Sequence, residues 1–166
     1  FHAINRHCRQ KKIDWFVSCW DKPSVDFIEE FDPIGYKIGS PLLTDDSLLK
    51  YIRSKKRPVI LSTGMSTIAQ IRHAVSLLDK SSLILMHCTS TYPCQAEELN
   101  LRMIGTLKKE FKVPVGYSGH EEGLQATFAA AALGVCAIER HITLDRAMWG
   151  TDQASSVGPS GLWRLV

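Results

Sequence analysis

Six short apolar runs recur along the chain with longer amphipathic segments between them. This alternation constrains the fold more than any other feature. The runs are WFVSC (15–19), YKIGS (36–40), PVILST (58–63), LILMHC (83–88), VPVGYS (113–118) and CAIERHIT (136–143). They start 21, 22, 25, 30 and 23 residues apart, which leaves room in each interval for one helix and two short loops. The segment 66–79 shows the helical phase best: Ser66 offers an N-cap, and Ile68, Ile71, Ala74, Val75 and Leu78 share one face. LQATFAAAALG (124–134) is rich in alanine and stops at Gly134, placed as a C′ glycine. Strands separated by helices predict βα units around a parallel sheet.

The strand ends choose between an open sheet and a closed barrel. Nearly every run finishes in polar groups: Ser18, Lys37 with Ser40, Ser62 with Thr63, His87 with Thr89, Ser118 with His120, and Glu139 with His141. A TIM barrel collects its reacting groups from the C-terminal ends of many strands. A doubly wound sheet gathers them at one switch point behind a glycine-rich phosphate loop, and neither G-x-G-x-x-G nor G-x-x-x-x-G-K-[ST] occurs here. The expectation is therefore an incomplete (β/α)8 TIM barrel, a single domain over 1–166, with six of the eight strands present.

Composition excludes several function classes. The 166 residues are 45% hydrophobic and 22% charged, an ordinary globular mix, and the net charge of +3 is too small and scattered for nucleic acid binding. No stretch of about 18 apolar residues suggests a membrane span. Five cysteines without a C-x-x-C pair favour reduced thiols and a cytoplasmic setting.

The polar strand ends carry the candidate chemistry. Residues two apart on a strand share a face, so Ser118 pairs in direction with His120, and Glu139 with His141. Sequential βα units tend to be neighbours, so the two imidazoles can come within about 3–5 Å, the reach of one divalent ion. The competing reading is two satisfied structural histidines. Lys37 with Ser40, Ser62 and Ser118 suits a phosphate or a carboxylate, against a lysine that snorkels to solvent beside ordinary loop serines. His87 reads as a hydrogen-bonded core histidine, Cys19 and Cys88 as packing thiols, and Trp15 and Trp20 as packing rings. Glu121 and Glu122 read as acidic residues opening a helix. Asp152, in the loop after the last strand, either contacts a polyol or sits in a solvated turn.

YKIGS, PVILSTGMST, HCTSTYP, VPVGYSGHEEG, ALGVCAIERHITLDR and WGTDQASS occur in this order. Together they resemble the N-acetylneuraminate (sialic acid) synthase family. The resemblance implies a TIM barrel that condenses phosphoenolpyruvate with N-acetylmannosamine or a related acyl-aminosugar, releasing phosphate. It implies metal ligation of Mn2+ or Mg2+ by His120 and His141. Phosphoenolpyruvate contacts fall on Lys37, Ser40, Ser62, Ser90 and Ser118, and sugar contacts on Tyr92 and Asp152. Lys37 and Glu139 are implied in catalysis, Glu139 in orienting water or substrate. Cys19, Leu42 and Gln153 depart from residues common in the family. The same resemblance implies that these are barrel strands three to eight. Two earlier βα units, carrying a proposed base, and a later antifreeze-like domain that joins partners in a homodimer then lie outside this chain. On that view the chain alone lacks turnover and keeps open sheet edges. The alternatives are another phosphoenolpyruvate–aldose synthase, a metal-dependent hydrolase barrel, and a non-catalytic remnant.

Overall fold

The computed structural model describes residues Phe1–Val166, in an α/β arrangement of seven α-helices and five β-strands. The chain divides into two compact units, residues 1–61 with 66–84 and residues 62–65 with 85–166. No helix is long and apolar enough to cross a membrane.

The first unit contains α1 (His2–Lys11), α2 (Lys22–Glu29), β1 (Tyr36–Ile38), α3 (Asp46–Ser54), β2 (Val59–Ser62, up to Leu61) and α4 (Ile68–Leu77). β1 and β2 pair in parallel, with Tyr36 opposite Val59 and Ile38 opposite Leu61. α2, α3 and α4 each start where a short polar side chain can take up an unpaired backbone N–H. Asp21 accepts from the Ser24 amide at the head of α2, and Asp45 from the Leu48 amide at the head of α3. α3 buries Leu48, Leu49 and Ile52, and α4 packs against it through a face that buries Ile71, Ala74 and Val75. Each large aliphatic side chain hidden in this way contributes roughly 1.5–3 kcal/mol.

The cap of α4 is Thr67, not the expected Ser66. Thr67 Oγ1 accepts from the Gln70 amide, and the Gln70 side chain accepts from the Thr67 amide at 2.8 Å. A glutamine three residues after Thr67 makes this reciprocal pair possible and fixes the start one residue later.

The second unit is built on β3 (Leu83–Cys88, from Leu85), β4 (Val115–Gly119) and β5 (Ile138–Arg140), with α5 (Met103–Phe111), α6 (Gln125–Ala132) and α7 (Pro159–Leu165). Its strands are parallel, with Leu85 opposite Val115 and Ser118 opposite Glu139. β4 is buried along its whole length, and α5 covers it with Ile104, Leu107 and Phe111. α6 is capped at Leu133, and Gly134 follows at φ +73°, the left-handed C′ position expected of it.

Three expectations fail. WFVSC (15–19) does not form a strand; only Ser18 bridges to Lys37. Trp15 instead packs on Phe1 and Phe31 and donates to Asn5 at 3.1 Å, and the cap of α2 follows at once at Asp21. Trp20 is exposed rather than packed. CAIERHIT contracts to three residues, with Cys136 and Ile138 exposed, so it is not the buried strand that its apolar start suggests.

Thr67→Ala should remove the Oγ1 acceptor of the Gln70 amide, leaving the backbone half of the α4 cap, and lower stability by about 1 kcal/mol. A urea melt that shows no shift of the midpoint would contradict the role given to this pair.

Candidate functional site

The ladder between β4 and β5 sets the geometry of the second unit's polar cluster. Opposed residues on neighbouring parallel strands share a face, and Ser118 Oγ donates to Glu139 Oε1 at 2.8 Å. Two residues further along each strand stand His120 and His141. Their ring centroids are 5.2 Å apart in an edge-to-face contact. Tyr92, from the loop after β3, lies with its ring 4.1 Å from that of His120 and 5.6 Å from that of His141.

His120 is held by a hydrogen bond through Nδ1, and the Nδ1 of His141 faces a carboxylate. His120 Nδ1 lies 2.7 Å from the Thr89 carbonyl, which can only accept, so the proton sits on Nδ1 and the Nε2 lone pair is free. His120 is buried, and loss of hydration holds its pKa below the usual histidine value, favouring the neutral ring. His141 is more open, with Nδ1 3.4 Å from Asp152 Oδ2. Backing of Nδ1 by an oxygen partner is the usual support of a metal-ligating histidine. The donor set therefore fits two-nitrogen ligation of a divalent ion, with the remaining positions left to substrate and water. No group of three or more His, Cys, Asp or Glu side chains is arranged to hold a metal.

The second unit thus brings together Tyr92, Ser118, His120, Glu139, His141 and Asp152. Ser62, buried at the end of β2, and Ser90, after β3, belong to the same unit. Lys37, buried on β1, and Ser40, just beyond it, belong to the first unit. His87 is a buried histidine whose Nε2 donates to the Leu99 carbonyl at 2.8 Å, as expected. Cys19 is buried, and its thiol is pushed up to about 11 by burial and then by Asp21, which suits a packing role.

Glu121 is the main correction. It does not open a helix, because α6 begins only at Gln125. It is buried and pairs with Arg140 at 3.0 Å. Its carboxylate also accepts from Tyr117 at 2.8 Å and from Thr127 at 2.7 Å. The signal was present in the sequence. Arg140 stands between two residues of one strand face and must point the other way, where a buried guanidinium requires an anion.

His87 also makes the stability of the fold depend on pH. Burial lowers its folded pKa from 6.5, so below that pH the unfolded chain takes up a proton that the folded chain resists. Stability from this residue is present above about pH 6.5 and falls as pH drops toward the lower folded value. His87→Gln, which keeps an N–H donor for Leu99, should lose less stability than the parent between about pH 7 and about pH 5. Urea midpoints at the two pH values check this, and equal losses would contradict it.

Comparison with known proteins finds relatives along the whole chain. A model of the NeuB family matches residues 1–166. The chain is 38% identical over 164 residues to the N,N'-diacetyllegionaminic acid synthase of Campylobacter jejuni, covering 96% of this chain and 49% of the relative. It is 36% identical over 170 residues to the human N-acetylneuraminate-9-phosphate synthase, covering 100% of this chain and 47% of that protein. Among solved structures it superposes on an N-acetylneuraminic acid (sialic acid) synthetase from Leptospira borgpetersenii, in complex with citrate. The TM-score is 0.94 at 33% identity, covering 98% of this chain and 58% of the other. The chain spans about half the length of the curated relatives that it matches. Matched over all its residues, the chain belongs to the NeuB family.

Proposed function

We propose that this chain carries part of the active site of a nonulosonic (sialic-type) acid synthase, which joins phosphoenolpyruvate to an N-acyl aminosugar and releases phosphate. The observation that carries this reading is the pair of imidazoles, His120 with its Nδ1 bonded to the Thr89 carbonyl and His141 near Asp152, beside Tyr92 and Glu139. The names of the relatives support the class of product.

In this reading His120 and His141 hold a divalent ion, Mn2+ or Mg2+, which supplies Lewis-acid polarisation of the sugar's open-chain aldehyde. Asp152 and Tyr92 receive the sugar, the carboxylate accepting from a hydroxyl and the ring covering an apolar face. By the family resemblance alone, Lys37 is assigned to oppose the charge of phosphoenolpyruvate, and Ser40, Ser62, Ser90 and Ser118 to contact it. The enol carbon forms the new C–C bond to the aldehyde carbon. Water then adds to the cationic carbon left behind, and the C–O bond to phosphate breaks as the ketone forms. Glu139, whose Oε1 accepts from Ser118, orients that water or the substrate.

Two substitutions test the roles. In an enzyme completed to the length of the relatives, His141→Ala should abolish Mn2+-dependent phosphate release while leaving the thermal unfolding midpoint within a few degrees of the parent, because the ring is partly exposed. Full turnover in this variant would sink the reading. Lys37→Met removes the positive charge assigned to the anion, so it should weaken phosphoenolpyruvate binding by about 10–100-fold, the worth of a charged hydrogen bond. Sugar binding should change much less. Equal loss for both substrates would count against the assignment of Lys37.

A further inference from the structure

Alternation along β5 sends Glu139 and His141 to one face and Arg140 to the other. The Arg140 side chain is 2% exposed. Its Nη1 donates to Glu121 Oε1 at 3.0 Å, to the Gly123 carbonyl at 2.9 Å and to Thr127 Oγ1 at 2.7 Å. Its Nη2 donates to the Glu121 carbonyl at 2.7 Å and to the Ser155 carbonyl at 3.3 Å. Nε has no partner, so the two terminal nitrogens aim the guanidinium.

These acceptors lie on three stretches of chain. Glu121 and Gly123 follow directly on His120. Thr127 lies in the first turn of α6. Ser155 belongs to the loop of Asp152, and the hydroxyls of Ser155 and Ser156 donate to the Asp152 carbonyl at 2.9 and 2.8 Å. Arg140 itself precedes His141. One planar guanidinium is therefore bonded to the segments that carry His120 and Asp152 while its own backbone carries His141.

We propose that Arg140 is a positioning residue that sets the mutual placement of His120, His141 and Asp152; this rests on the reading of those residues as the metal and sugar site. The role needs the fork rather than the charge alone. Lysine would keep a cation opposite Glu121 but cannot reach acceptors on three stretches in one plane. Loss of an outer partner of this kind typically lowers metal affinity by about 10–100-fold.

The test compares Mn2+ affinity, read by the loss of the free-ion electron paramagnetic resonance signal, in the parent, Arg140→Lys and Thr127→Val. All are measured well below their unfolding midpoints, with His120→Ala and His141→Ala as references. Arg140→Lys should weaken Mn2+ binding about 10–100-fold. Thr127→Val, which removes one acceptor of the fork with little change of shape, should weaken it by about 2–10-fold. It decides the matter if Arg140→Lys does not fold. A merely structural role would lower the unfolding midpoints and leave the folded proteins with the parent's affinity, and that result overturns the proposal. Parent Mn2+ binding untouched by both histidine substitutions would overturn the site reading, and the proposal with it.

Discussion

The parallel ladder between β4 and β5 is the constraint on which the rest of the site depends. Pairing Ser118 with Glu139 decides which side chains face each other across the two strands. It lines up His120 and His141 one pleat further on. A slip of one residue would exchange the faces, setting Arg140 and Glu121 where the histidines now stand. Register here is thus a chemical specification as well as a packing one. The buried length of β4 under α5 resists the slip, because a shifted strand would turn its apolar residues away from their cover.

The two faces of this ladder solve different problems. One presents two imidazoles, a carboxylate and a hydroxyl in a half-open cluster. The other closes a buried ion pair, Glu121 with Arg140, inside a cage of hydroxyls and carbonyls. Such a pair is weak evidence of stability, since removing both charges from water costs several kcal/mol per ion before their attraction and hydrogen bonds offset it. What the pair does provide is direction. The carboxylate accepts from three groups and the guanidinium donates to five acceptors, so neither can rotate without leaving a buried polar group unmatched.

Much of this was legible in the sequence, and the misses have physical causes. The βα repeat gave the α/β class because apolar runs of strand length and the 3.6-residue phase of 66–79 are local properties. LILMHC was read to the residue as β3, since a continuous apolar run bounded by Lys80–Ser82 and a polar loop has few other uses. WFVSC was misread because aromatic packing on α1 competes with pairing, and composition does not show which wins. The two histidines were found from their matching places after adjacent strands. Glu121 was missed because its partner, Arg140, lies 19 residues away, and an acidic pair before a helix looks like ordinary dipole chemistry. The Thr89 carbonyl behind His120 leaves no trace in the sequence, since any residue carries one.

Pulsed electron paramagnetic resonance on the Mn2+-loaded protein, prepared with isotopically labelled histidine, is the most direct test of the account. Coupling of the bound ion to two histidine nitrogens, with one lost in each of His120→Ala and His141→Ala, is the predicted result. A bound ion that shows no histidine coupling, or keeps both couplings when either ring is removed, would contradict the central claim that these two strand ends hold one metal between them.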